Sequence, residues 1–167
     1  MNEGTGYVKS ATADAVVYRG YGENRWGGGR LVAVESGGEV VGPLLHHVKH
    51  SRTGMTWGYD GLGPADLARS LLIHALGDAA RCVVCDGTSE VVYDKATDTY
   101  VPAGIASGPR FSEPTRCAAC EDGWNVMSST YQRFKCDVVA QLPDDGWRLT
   151  RIEVLAWLDQ HATTASA

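Results

Sequence analysis

The chain has 167 residues, 44% hydrophobic and 21% charged, the composition of an ordinary soluble domain. Fifteen Lys and Arg against twenty Asp and Glu leave a net charge of −5, which argues against a basic nucleic-acid coat or a polybasic membrane binder. No apolar run approaches the roughly 20 residues of a bilayer-spanning helix, and the polar start, Met1 to Ser10, carries no apolar secretory segment, so a reducing cytoplasm is the expected compartment.

Residues 1–14 are small and polar and predict a flexible N-terminus; residues 162–167 predict a flexible tail for the same reason. Ala15 to Arg19 reads as a first strand. Arg30 to Glu35 and Glu39 to Leu45 flank Ser36-Gly37-Gly38 and predict a hairpin. The Gly27-Gly28-Gly29 run has no side chains to pack, so it is either a flexible connection or a point of close backbone approach.

At Pro64 the apolar period changes. Leu67, Leu71, Leu72, Ala75 and Leu76 recur at helical steps, with Pro64 and Asp66 suited to a helix start and Gly77 to its end, which predicts a helix over 64–76. A second is predicted from Ser129, where Ser129 and Gln132 fit a capping box, to Pro143. A third begins at Thr150, capped with Glu153. The expected fold class is α+β: a small antiparallel sheet packed with three short helices, plus an inserted zinc-ribbon-like subdomain. The core would comprise residues 15–81 and 123–161, and the insertion residues 82–122. Within the insertion, Glu90 to Tyr93 and Tyr100-Val101 are β-like.

Cys82-Val83-Val84-Cys85 and Cys117-Ala118-Ala119-Cys120 form two C-x₂-C pairs separated by 31 residues. Two residues between thiolates let one tight turn aim both sulfurs at an ion, and two such turns complete a tetrahedral shell. A long hairpin or loop must then project between the turns. A disulfide framework, a redox pair and two unrelated buried pairs are the alternatives, and a reducing compartment weighs against the first. The reading adopted is structural Zn²⁺ held by Cys82, Cys85, Cys117 and Cys120, with Cys136 a buried small hydrophobe. Residues 82–122 carry seven acids against Lys95, Arg110 and Arg116, so a phosphate backbone is repelled, and protein contact or stabilisation suits the segment better than nucleic-acid binding.

Trp57-Gly58-Tyr59-Asp60-Gly61-Leu62-Gly63-Pro64 leads into the first predicted helix, an arrangement that presents N–H groups to an anion. No Gly-Lys-Ser/Thr follows, so it is not a Walker loop. Tight-turn packing is the alternative. Between Tyr18 and Trp57, Arg19, Arg25, Arg30, Lys49 and Arg52 outnumber Glu23, Glu35 and Glu39. The candidate site for a small anionic, nucleotide-like ligand is therefore Tyr18, Arg19, Arg25, Trp57, Gly58, Tyr59, Gly61 and Gly63. His46, His47 and His50 read as a polar strand end. Ser51, Thr53 and Thr56 have no visible base, and no catalytic signature is present, so binding is expected rather than catalysis.

Trp57-Gly58-Tyr59, Gly61, Gly63-Pro64, Leu67-Ala68 and Leu71-Leu72, then Tyr131, Phe134, Lys135, Leu142-Pro143 and Trp147, resemble the domain of unknown function 6166 family. The likeness covers roughly residues 16–81 and 123–160. It departs at Leu62, where the family's loop is expected to carry a small serine. The resemblance implies an accessory protein of a bacteriophage or mobile element, acting in a host cytoplasm, and it brings no activity. The residues themselves point to a small anionic ligand at the glycine-rich loop or a host protein engaged through the acidic zinc subdomain as partner, or to a second copy of the chain.

Overall fold

Alternation along the first strand sets the layers, because successive side chains of a strand leave opposite faces. In β1 (Val16–Tyr21), Tyr18 is fully buried in the main core while Arg19 is exposed. The computed structural model describes residues 15–22 and 29–162. Arg25, Gly27, Gly28 and the ends predicted to be flexible, residues 1–14 and 163–167, lie outside them; Ala162 closes the last helix.

β2 (Val32–Ser36) and β3 (Glu39–Pro43) form the expected hairpin. Gly37 and Gly38 have φ of 60° and 86°, the two positive values that a tight two-residue turn requires. Two strands are not anticipated by local pattern, the short Thr115–Arg116 described below and Gly146–Thr150. Gly146–Thr150, between Pro143 and the third helix predicted from Thr150, is a strand (β7) that pairs antiparallel with β1, giving the order β3-β2-β1-β7. Its five residues include a single β-branched one, and its pairing with a strand far away in sequence is invisible to local patterning.

α1 (Leu62–Leu76) ends at Gly77, whose φ of 59° lets its N–H turn back onto the carbonyls of Ile73 and His74. Leu67, Leu71, Leu72 and Ala75 are fully buried, and so are the polar Asp66 and Ser70. α2 (Ser128–Asp137) packs on α1 through Tyr131 and Phe134. It stops short of the predicted Pro143, since Val138 leaves helical geometry at φ −124° and a 3₁₀ turn, Val139–Gln141, follows. Cys136 is exposed rather than buried, because α2 turns Tyr131, Phe134 and Lys135 inward instead. α3 (Arg151–Ala162) has the predicted capping box: the Glu153 N–H donates to Thr150 Oγ1 at 3.1 Å and the Thr150 N–H to Glu153 Oε2 at 2.7 Å.

Between the two cysteine pairs the chain builds a second sheet, β5-β4-β6, from β4 (Glu90–Asp94), β5 (Thr99–Pro102) and β6 (Thr115–Arg116). Its small core is separate, made of Cys82, Cys85, Val91 and Cys117 with Val84 and Cys120. The fold is thus α+β, with two antiparallel sheets and three α-helices among the described residues. No described helix is long and apolar enough to cross a membrane.

Candidate metal centre

The two C-x₂-C segments fold into matching turns. Asp86 and Gly87 follow the first with φ of 50° and 76°, and Asp122 and Gly123 follow the second with φ of 54° and 90°. These left-handed residues curl each chain round its sulfurs and bring the turns together, so that the Cys82 N–H donates to Gly123 O at 3.0 Å. The Cys117 N–H donates to Ser89 O at 2.8 Å and joins the second pair to the first turn's exit.

All four Sγ atoms lie within 4.8 Å of one another, with Cys82 to Cys117 at 3.9 Å and Cys85 to Cys120 at 3.7 Å. A tetrahedron of sulfurs about 2.3 Å from a central ion has edges of about 3.8 Å. The four can therefore hold one metal ion. Burial opposes ionisation of Cys82, yet N–H groups of Cys85 and Val84 and the neighbouring thiols pull it down to about 7. Burial and the thiols around them push Cys117 and Cys120 up. Like charges crowded at these sulfurs oppose one another, and a bound cation would relieve that repulsion.

The second turn is fastened to the core through Lys49, whose Nζ lies 2.9 Å from Asp122 Oδ2 and also bonds Glu121. Although burial opposes it, Lys49 and the Ser128 N–H hold the Glu121 carboxyl below its ordinary value. That N–H, at the start of α2, donates to Glu121 Oε2 at 2.6 Å. The capping box expected within Ser129 to Gln132 is replaced by this acid from outside the helix, directly after Cys120. Trp124 continues the anchor, in edge contact with His47 at 4.8 Å between ring centres.

The residues proposed for the glycine-rich loop are scattered by the fold. Trp57 is fully buried, donates from Nε1 to Pro143 O at 2.9 Å and meets Trp147 edge-on. Tyr18 is fully buried, with its hydroxyl 2.9 Å from His74 Nδ1. Neither ring reaches solvent. Arg19 is paired with Glu35 at 3.0 Å, while Arg30 is paired with Asp144 at 2.6 Å and stacked on Trp57. Gly58, Gly61 and Gly63 admit the loop's neighbours: a side chain on them would meet Leu142 O, the Tyr59 ring and Thr56 Oγ1 respectively. Tyr59 alone among the three aromatic candidates is exposed. At Gly29 the close backbone approach is real, since it packs against Gly54.

The three histidines do not end a strand. They lie in the irregular segment after β3, which wraps the polar side of α1. Asp66, read as a helix-start charge, is the clasp: its carboxylate accepts from His46 Nε2 at 2.9 Å and from the N–H groups of Lys49, His50 and Ser51 at 3.2, 2.9 and 3.0 Å. These donors hold its carboxyl below the usual range despite burial. His50 Nε2 reaches the Tyr131 hydroxyl at 2.8 Å. A carboxylate directly before the apolar stripe that begins at Leu67 is the sequence sign of this role.

Residues 18–94 match the model of a family of unknown function (DUF6166). The match includes the Trp57 to Leu72 block and runs through Cys82 and Cys85 to Asp94; the later block, Tyr131 to Trp147, falls beyond it. No curated protein and no solved structure matches the chain.

Proposed function

We propose that this chain, whose residues 18–94 belong to the family of unknown function DUF6166, is a binding protein in which one structural Zn²⁺ shapes an acidic appendage for contact with a protein partner. The observation that carries the reading is the convergence of four thiols within 4.8 Å. Soft thiolate donors in tetrahedral array suit Zn²⁺, and four protein ligands leave no open position for a substrate. The metal's role is then to fix Cys82, Cys85, Cys117 and Cys120 in place, and with them the turns that carry Val83 and the strands between.

The appendage offers a partner both charge and apolar surface. Val83 is 90% exposed, Ile105 80% and Tyr100 58%, set among the seven acids of residues 82–122. A basic host protein is the partner this suits, and a phage or mobile-element accessory protein in a host cytoplasm is the setting that the family resemblance suggests. A small anion at the glycine-rich loop is the weaker reading, because Tyr18 and Trp57 serve the core.

Affinity capture from host lysate tests the proposal, comparing the wild type with a Val83→Asp and Ile105→Asp double variant. Both positions are exposed, so the variant should fold. A protein retained by the wild type and lost by the variant is expected; equal capture by both, or none by either, would overturn the adaptor role.

A further inference from the structure

Where the end of α1, the segment after β3 and the second cysteine turn meet, they enclose a cleft of about 310 Å³. Leu44, Ile73 and Trp124 supply apolar walls, and His47, His74 and Asp78 supply polar groups. Those polar groups are open. Among the described residues neither ring nitrogen of His47 and neither carboxylate oxygen of Asp78 has a hydrogen-bond partner, and His74, with Nδ1 bound to Tyr18, keeps Nε2 free. Burial, helped by Arg69 and neighbouring histidines for His47 and by Arg151 for His74, holds both imidazoles below their ordinary pKa and hence neutral.

A neutral imidazole donates from one nitrogen and accepts at the other, and a carboxylate accepts a pair of adjacent N–H groups. With the Trp124 indole and the aliphatic side chains of Leu44, Leu45 and Ile73 as walls, this set fits a flat nitrogen heterocycle. A bare phosphate does not fit: Asp78 repels it, and the one cation of the lining, Arg81, already faces Asp86 at 3.6 Å. We propose that the cleft binds the base of a purine nucleoside, its faces against Trp124, Leu44 and Ile73 and an N–H edge of the guanine type toward Asp78.

The cleft is also built by the cysteine turns. Arg81 and Trp124 form a β-bridge, Arg81 precedes Cys82, and Trp124 follows Gly123, the acceptor of the Cys82 N–H. The Asn125 N–H on Ala80 O, at 2.7 Å, extends the same seam. Loss of the metal therefore loosens one wall, a part of the inference that rests on the proposed Zn²⁺ site.

Calorimetric titration of the full chain with guanosine, with metal content measured on the same preparation, tests this. Guanosine is expected to bind the zinc-loaded chain more tightly than adenosine. Asp78→Asn and His47→Ala, each checked for unchanged circular dichroism, are expected to weaken binding at least about tenfold, the scale of one lost hydrogen bond to a charged group, and chelation to abolish it. A zinc-loaded chain that binds neither nucleoside, or whose two variants bind unchanged, overturns the cleft while leaving the metal reading intact. Tighter binding of adenosine overturns the assigned edge. Binding that survives chelation overturns the coupling to the metal. A preparation that holds no metal overturns the metal reading, whatever it binds.

Discussion

Gly123 packs backbone to backbone against Gly87: a β-carbon on Gly123 would overlap the Gly87 carbonyl oxygen, and its φ of 90° already disfavours any other residue. The two cysteine turns therefore touch through their glycines. Gly123→Ala is expected to force them apart, at about 1–3 kcal/mol for the strained backbone. A competition titration against a chromophoric chelator should read this as weaker metal binding, by about tenfold or more.

Asp66 predicts a specific acid lability. Its folded pKa is depressed by the donors of the 46–51 segment, so the stability it contributes is complete above the ordinary carboxylate pKa and is lost as pH falls through the lower folded value. Denaturant midpoints measured downward from pH 5 should fall faster for the wild type than for Asp66→Asn. Asp66→Ala, which leaves four donors without their acceptor, should cost on the order of 3–5 kcal/mol at neutral pH.

Much of this was legible and some was not, for physical reasons. The hairpin at Gly37-Gly38, the capping box of Thr150 with Glu153, and α1 with its Gly77 stop rest on interactions within a few residues, so local sequence carries them. The C-x₂-C spacing pointed to the four-sulfur cluster, because each short turn can aim both of its sulfurs at one ion. β7, the Glu121 cap on α2 and the Asp66 clasp depend on partners brought in by tertiary structure, which local patterns do not encode. The aromatic residues beside the glycines invited a ligand reading because exposed stacking surfaces and buried core rings are written with the same letters.

Trp57 separates those two roles. A buried indole that bonds Pro143 O and meets Trp147 should behave as core. Trp57→Ala is expected to destabilise the chain by about 3–5 kcal/mol, seen as a lower thermal midpoint in the absence of any ligand. An unchanged midpoint would return Trp57 to the surface.

Glu121 couples the second cysteine turn to α2. Replacing it with Gln removes its charge opposite Lys49 and weakens its hold on the Ser128 N–H. The partly exposed pair is screened by solvent, so a global loss of only about 1 kcal/mol is expected. The sharper readout is amide exchange: protection in the first turn of α2 should fall while that of α3 is unchanged.

Native mass spectrometry of the full chain, purified under reducing conditions without added chelator, tests the central claim most directly. One zinc ion per chain is predicted, absent from a Cys117→Ser and Cys120→Ser double variant. A metal-free wild-type chain with all of its thiols reactive, and with a thermal midpoint that added zinc does not raise, would contradict it.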